Sequence, residues 1–350
     1  MSNLIDLAAV GIEGGLPGLA DIEAAARRIA GRAQRTPLLR FPELDRRLGA
    51  RAFVKPECLQ ITGSFKFRGA YNKIRAAQEA GSVAGVVAFS SGNHAQGVAA
   101  AVALLGVPAI IVMPADAPRI KLDNTRALGA AVKTYDRYSE DREAIARAIS
   151  ADKGYVLVPP YDDPAIIAGQ GTIGLEIAED LGRLGVAPDA VLAPCSGGGL
   201  VSGIAIAMKA RYPKARVFAC EPAAFDDTAR SLATGKRQEN SAGKRSICDA
   251  LLSKSPGNLT FEINRRLLAG GLTASDAEAL AAIAFAARWM KLVLEPGGAV
   301  ALAAALNGRV PRSPESPPES GGAETIVIVA SGGNIDDDML RRALDSADAP

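Results

Sequence analysis

The sequence has a single histidine, His94, among 350 residues, so no Ser-His or Cys-His catalytic pair exists unless it uses that residue. Cysteine is scarce as well. The four present, Cys58, Cys195, Cys220 and Cys248, lie far apart, form no Cys-x-x-Cys pair and cannot complete a zinc set with one histidine. Such usage fits a reducing compartment, and hence the cytoplasm. An excess of one charge is also missing: 40 Lys and Arg stand against 38 Asp and Glu, with no long basic run. That balance leaves no electrostatic footprint for nucleic acid or an anionic membrane, and makes small molecules the expected partners. The opening Met1-Ser-Asn-Leu-Ile-Asp6 lacks the basic region and apolar core of a secretory signal. One uncharged stretch, Ser82 to Ala115, is long enough to raise the membrane question. Ser90, Ser91, Asn93, His94, Gln96, Gly106 and Pro108 interrupt it, so it reads as buried strand, loop, helix and strand.

What is present describes a globular protein: 48% hydrophobic and 22% charged residues, with length for one large or two modest domains. Asp21 is placed to cap a helix running to about Arg32, with Ile22 and Ile29 on its apolar stripe. From Val86 short apolar runs alternate with Ala-rich helical segments. The runs are Val86 to Phe89, Ala109 to Met113 and Val132 to Tyr135, with helices from Ala95 and Ile120. The rhythm returns at Ala190 to Ala193, Arg216 to Cys220 and Thr325 to Ala330. It predicts βαβ units, a parallel sheet and an α/β fold. The proline-rich segment from Val310 to Ala323 predicts a solvated loop inserted within a domain.

Four segments carry chemistry. In Thr62-Gly-Ser-Phe-Lys-Phe-Arg-Gly69 a lysine sits among aromatic and small residues where a loop enters a helix. Partial desolvation there favours the neutral amine, which can attack a carbonyl and form a Schiff base. The alternative is an amphipathic helix start with Lys66 and Arg68 in water. Ser196-Gly-Gly-Gly-Leu200 lies between an apolar strand and a helix, where backbone N–H groups close around a phosphate. A dinucleotide site using Glu221 as the ribose partner stays open as a lesser alternative, as does a plain strand-helix turn. Phe89-Ser-Ser-Gly-Asn-His-Ala-Gln96 gathers hydroxyls and amides at a helix start and suits a carboxylate. Ala330-Ser-Gly-Gly-Asn334 ends the last apolar strand, so Ser331 faces the ligand crevice of a parallel sheet or a simple turn.

Together these motifs resemble the fold type II pyridoxal-phosphate enzymes (tryptophan synthase β-like), in the branch of threonine/serine dehydratases and serine racemase. The likeness spans about residues 20 to 345. It rests on Gly63-Ser-Phe-Lys-Phe-Arg-Gly-Ala70, Ser90-Ser-Gly-Asn-His-Ala-Gln-Gly97, Ala168-Gly-Gln-Gly-Thr-Ile173, Ser196-Gly-Gly-Gly199, Glu295-Pro-Gly-Gly298 and Ser331-Gly-Gly-Asn334, in family order. The resemblance implies two open, twisted, mostly parallel sheets flanked by helices. It divides the chain into a large cofactor-binding domain, residues 1–84 and 161–350, and a small mobile domain, residues 85–160. Only a short segment follows Asn334, so no C-terminal regulatory domain is expected. A homodimer is expected.

By the same resemblance Lys66 binds pyridoxal 5'-phosphate as a Schiff base and serves as general base, while Phe65 packs on the ring. Asn93 bonds the ring hydroxyl, Ser196, Gly197, Gly198, Gly199 and Leu200 hold the phosphate, and Ser331 faces the ring nitrogen. A serine there makes the ring a weaker electron sink than an aspartate partner does, which favours loss of a β-substituent over transamination. Ser90, Ser91, Asn93 and His94 hold the substrate carboxylate, and Arg142, in Glu140-Asp-Arg-Glu143, matches a carboxylate-binding arginine of serine racemase. Ser91 also matches that enzyme's opposite-face acid-base group. Tyr161, in Val158-Pro-Pro-Tyr-Asp-Asp-Pro164, departs from the His-Pro-Phe-Asp-Asp-Pro of many dehydratases and brings a phenol near the substrate side chain. Glu221-Pro-Ala-Ala-Phe-Asp-Asp227 resembles the branch's cation loop, with Glu221, the Phe225 carbonyl and Asp227 as oxygen ligands for Mg²⁺ or Ca²⁺. The implied activity is dehydration and deamination of a β-hydroxy amino acid such as threonine or serine to a 2-oxo acid and ammonia. Serine racemase and 3-hydroxyaspartate dehydratase are the alternatives, with a non-catalytic ligand-binding homologue behind them.

Overall fold

Ten short runs become the strands of two sheets in the computed structural model, which describes residues 16–90, 92–117, 119–136, 138–312 and 323–346. The strands are β1 Leu39–Arg40, β2 Arg51–Pro56, β3 Val86–Phe89, β4 Ala109–Pro114, β5 Ala131–Tyr135, β6 Val156–Leu157, β7 Ala190–Pro194, β8 Arg216–Pro222, β9 Gly270–Ala274 and β10 Thr325–Ala330. A six-stranded sheet has the order β1-β2-β10-β7-β8-β9 and a four-stranded sheet the order β5-β4-β3-β6. Every pairing is parallel except β1 with β2. The expected architecture of two open, mostly parallel sheets is therefore present. Ser91 and most of the proline-rich segment, residues 313–322, lie outside the described residues.

Strand β10 reads Thr-Ile-Val-Ile-Val-Ala and is buried throughout, as a central parallel strand covered on both faces must be. Its residues alternate: Ile326, Ile328 and Ala330 join the core beneath the helices Asp276–Phe285 and Pro296–Leu306, while Val327 and Val329 join the core beneath Pro164–Arg183 and Gly199–Arg211. The smaller sheet repeats the pattern. Val86 and Ala88 pack with Phe67, Ile74 and Val98, whereas Val87 and Phe89 pack with Ala146. The helix Lys66–Ala80 thus lends its apolar face to the core of the four-stranded sheet.

Asp21 does not cap the first helix in the way its sequence suggests. The helix is Leu19–Ile29, Asp21 is its third residue, and its carboxylate accepts the Gly18 N–H at 2.8 Å. An orphan donor is still satisfied, from inside the helix rather than ahead of it. The helix stops short of Arg32, and Gly31 takes a left-handed φ of 68° just beyond.

The Ala168-Gly-Gln-Gly-Thr-Ile173 motif works in packing. It lies in the helix Pro164–Arg183, where Gly169 meets the Gly69 backbone so closely that a Cβ would stand 2.6 Å from the Gly69 Cα. On the opposite side, a Cβ on Gly203 would lie 2.4 Å from the Ile167 carbonyl oxygen and 2.5 Å from the Gly171 nitrogen. Backbone cannot yield as a flexible side chain does. Gly203→Ala is expected to lower stability by about 3 kcal/mol in chemical denaturation. Gly81→Ala, with nothing within 4 Å of the added carbon, is expected to leave it nearly unchanged.

Candidate active site

Strand register brings the sequence motifs together. β10 lies between β2 and β7, with Ala330 opposite Pro56 and Ile328 opposite Leu192. The loop after β10 therefore emerges between the loop leading to Lys66 and the glycine loop after β7. These loops are tied by backbone bonds: Phe65 N donates to the Ser331 carbonyl at 3.1 Å, and Gly333 N to the Gly63 carbonyl at 2.9 Å. Ser64 bridges to Gly332. Ser331 is buried, and the Asn334 amide nitrogen donates to both the Thr62 carbonyl and the Asn93 side-chain oxygen at 2.8 Å.

Lys66 opens the helix Lys66–Ala80. Its side chain is half-buried, Nζ donates to the Pro160 carbonyl at 2.7 Å, and the same nitrogen lies 5.1 Å from the centre of the Phe65 ring. Burial pulls its pKa from 10.5 to about 8, against an opposing pull from the Glu295 carboxylate. Glu295 is buried at the start of Pro296–Leu306 and accepts the Asn93 amide at 2.6 Å. Asn93 and His94 form the first turn of Asn93–Leu105, two residues earlier than the expected helix start.

Arg68 is not in water; it is completely buried. Its guanidinium grips Glu57 through Nε at 2.8 Å and Nη2 at 2.9 Å, and Glu176 through Nη1 at 2.7 Å and Nη2 at 2.9 Å. Lys55, also buried, donates to Glu176 at 2.5 Å and to the Thr36 carbonyl at 2.7 Å. Burial works against the Arg68 charge, yet the two carboxylates hold its pKa above the ordinary arginine value. Two cations and two anions close a neutral box under the turn that presents Lys66.

His94 is buried, and its Nε2 lies 2.9 Å from the Val158 carbonyl. A carbonyl only accepts, so Nε2 carries the hydrogen and Nδ1 is bare. Burial first, then the positive Lys66, pull its pKa down to about 3, so the ring is neutral. The Ser90 hydroxyl accepts the Gly92 N–H at 3.2 Å. Arg142 sits over the Phe89 ring at 5.7 Å and has no ion-pair partner among the described residues. A cleft of about 620 Å³ brings Arg142 together with Pro160, Tyr161, Gly257 and Arg237.

The glycine loop forms the far side. Gly198 takes a φ of 98°, which favours glycine, and the helix Gly199–Arg211 begins immediately after it. Gly197 and Gly199 face Tyr161: a Cβ on Gly197 would lie 2.4 Å from the phenol ring. The Gly197 carbonyl is held by Gly257 N at 3.1 Å and the Thr260 hydroxyl at 2.6 Å. Ser196 and Ser253 share a hydroxyl-hydroxyl bond of 2.7 Å, and the Ser253 side chain lies beside the Tyr161 phenol. Leu200 is buried in the core behind the loop.

Glu221 is fully buried, and its oxygens accept Thr228 N at 2.9 Å and Ala229 N at 2.8 Å. Full burial keeps it from facing a ribose in an open crevice, and the dinucleotide alternative falls. Burial and then the neighbouring Asp227 push its pKa up to about 8. Asp227 accepts the Asn240 amide at 2.6 Å through Oδ1, while its buried Oδ2 has no hydrogen-bond partner among the described residues. Phe225 lies on the turn between them, its N–H donating to the Pro222 carbonyl at 2.8 Å. No group of three or more His, Cys, Asp or Glu side chains forms a metal cluster among the described residues.

Sequence reasoning did not single out Glu295, Ser253, the Pro160 carbonyl or the role of Arg68. Glu295 was within reach, since its Glu-Pro-Gly-Gly motif is distinctive. Ser253 carries no local signal, because only the chain's return to the glycine loop gives it a role.

A protein family described as Pyridoxal-phosphate dependent enzyme matches residues 29–332. The chain is 43% identical over 316 residues to an L-threo-3-hydroxyaspartate ammonia-lyase of Pseudomonas sp, across 90% of this chain and 95% of the relative. It is 39% identical over 321 residues to a serine racemase of Schizosaccharomyces pombe, across 92% and 95%. Among solved structures, a threonine deaminase of T.th. superposes with a TM-score of 0.83 at 45% identity, covering 91% of this chain and 99% of that one. Maize serine racemase gives 0.83 at 36% identity, covering 94% and 97%. The site fits such a cofactor. A lysine with a lowered pKa suits its aldehyde, and the first-turn N–H groups behind Gly198 suit its phosphate. Buried hydroxyls of Thr62 and Ser64, without partners among the described residues, suit a polar ligand.

Two outcomes are expected. In the cofactor-free protein, condensation of an aldehyde with Lys66 is half-maximal near pH 8, against 10.5 for an ordinary lysine, as followed by absorbance across pH. Arg68→Met leaves Glu57 and Glu176 without their guanidinium and costs about 3 to 5 kcal/mol in denaturation, with Arg68→Lys intermediate.

Proposed function

The chain belongs to the pyridoxal-phosphate dependent enzymes, and on that premise we propose that it catalyses β-elimination from a β-hydroxy amino acid, releasing a 2-oxo acid and ammonia. The observation that carries this reading is the Lys66 amine, with a lowered pKa and held on the carbonyl of Pro160, the residue before the tyrosine whose ring covers the glycine loop. When bound, pyridoxal phosphate supplies an aldehyde for that amine and an electron-withdrawing ring. Lys66 would hold the cofactor and, with its amine free, would take the substrate Cα proton as general base. Phe65 would pack on the ring, Asn93, held by Glu295 and Asn334, would bond its hydroxyl, and Ser331 would meet its nitrogen. Residues 196–200 hold the phosphate. Ser90, Ser91, Asn93 and Arg142 would hold the substrate carboxylate and fix Cα near Lys66, while the ring of His94, whose one N–H is given to the Val158 carbonyl, has no donor to offer it. Residues 85–160 act as a small domain that closes over the cleft.

Arg237 favours one substrate within the class. It lines the cleft with Arg142, and among the described residues it donates to neutral acceptors, at Ser255, Pro256 and Asn258. With Arg142 on the α-carboxylate, a second guanidinium suits the distal carboxylate of 3-hydroxyaspartate. The L-threo-3-hydroxyaspartate ammonia-lyases of Pseudomonas sp and Saccharomyces cerevisiae, 43% and 40% identical, support the same choice. A panel of threonine, serine and 3-hydroxyaspartate, scored for 2-oxo acid and for the inverted amino acid, tests it. The highest kcat/KM is expected for 3-hydroxyaspartate, with 2-oxo acid as product. A preference for threonine overturns the dicarboxylate assignment, and inversion without 2-oxo acid makes the enzyme a racemase. Lys66→Ala is expected to lose the visible absorbance of the bound cofactor and turnover together.

A hard divalent cation, Mg²⁺ or Ca²⁺, fits the unpartnered Asp227 oxygen beside Glu221, with the Phe225 carbonyl completing the oxygen set. Chelation is expected to lower the thermal midpoint, and Glu221→Ala to remove that response; a chelator without effect counts against the site. For the expected homodimer, Leu59, Trp289 and Val293, exposed by 50%, 55% and 48%, supply apolar surface. Trp289→Glu is expected to produce monomers in sedimentation. Four free cysteines support a reducing, cytoplasmic setting, and no helix among the described residues is long and apolar enough to cross a membrane.

A further inference from the structure

In the β-elimination proposed above, on which this inference rests, hydroxide leaves poorly near neutral pH unless a side chain delivers a proton to it. His94 has spent its one N–H on the Val158 carbonyl. Asp162 accepts the N–H groups of Asn258 and Leu259 at 2.9 Å, and Asp163 accepts those of Ala165 and Ile166 and pairs with Lys73, so both are committed to helix starts. Tyr161 is placed differently. It directly follows Pro160, whose carbonyl receives Lys66 Nζ, and its ring covers Gly197 of the phosphate-binding loop. It therefore spans the distance between the proposed base and the glycine cradle, along the wall of the cleft that Arg142 also lines. Its phenol neighbours Ser253, whose hydroxyl is held by Ser196 at 2.7 Å. Burial raises the phenol's pKa, so it keeps its proton at neutral pH.

We propose that Tyr161 is a catalytic acid that protonates the departing β-hydroxyl, with Ser253 as the positioning residue that aims its phenol. The Cα proton passes to the Lys66 amine, and the Cβ–O bond breaks with both electrons on oxygen. The phenol proton completes a water molecule. The phenolate then recovers a proton from the Lys66 ammonium, so both groups return to their starting states and no outside reagent is consumed.

The test compares leaving groups in the holoenzyme. The β-hydroxy substrate turned over by the parent, threonine, serine or 3-hydroxyaspartate, is paired with its 3-chloro analogue, whose chloride departs without a proton. Tyr161→Phe keeps the ring on Gly197 and is expected to lose about a hundredfold in kcat on the hydroxy substrate but less than about threefold on the chloro substrate. Cofactor affinity, visible spectrum and thermal midpoint are expected to match the parent. Ser253→Ala is expected to show the same selectivity at smaller amplitude, and it carries the test should Tyr161→Phe fail to fold. Equal losses on both substrates, or none on the hydroxy substrate, overturn the role of Tyr161. A parent that releases 2-oxo acid from neither substrate overturns the β-elimination reading instead.

Discussion

Lys66 Nζ rests 2.7 Å from the Pro160 carbonyl in surroundings that bring its pKa down to about 8, and both sheets bear on that one amine. An ammonium in open water would hold its proton and stay unreactive toward an aldehyde. Here desolvation works toward the free base while Glu295 limits the shift, so base and ammonium are both accessible near neutral pH. The amine sits where strands of the larger sheet end and where the first helix of the smaller sheet's core begins. Parallel register makes this arrangement possible, because it sends the loops after β2, β10 and β7 out of the same edge.

The Arg68 box explains how the turn that presents such a lysine is held in place. Arg68 lies two residues beyond Lys66 in the same helical turn, and its fork joins β2's following turn to the helix Pro164–Arg183 through Glu57 and Glu176. Burying four charges is costly, and the cost is recovered only if all four remain paired. The same condition makes the box a specific register device. Bidentate geometry on two carboxylates at once admits one placement of the helix start, and Gly69 against Gly169 removes the remaining slack.

Much of this was legible in the sequence, for identifiable reasons. Runs such as Val86 to Phe89 and Thr325 to Ala330 are short, apolar and bounded by loop residues, so they declare themselves as interior parallel strands, and the structure gives them those bounds. Glycine motifs were visible because glycine is needed where backbone approaches backbone. Their purposes were less visible: Gly169 and Gly203 seat helices, while Gly197 seats a tyrosine ring. Strand β9, Gly-Gly-Leu-Thr-Ala, could not be read locally, since its pairing with β8 rather than its composition makes it a strand. Arg68 was the hardest residue to place. A lone arginine looks solvated until partners 11 and 108 positions away are brought to it. Asp21 shows the limit at helix ends, where a carboxylate serves the same orphan donors from either side of the boundary.

The central claim is that one particular amine carries the cofactor, and reductive trapping tests it most directly. The holoenzyme is treated with borohydride, digested and mapped by mass spectrometry. The account predicts a stable pyridoxyl label on the peptide containing Lys66, at that residue. A label on a different lysine, or a reduced cofactor that dissociates unattached to any lysine, would contradict it.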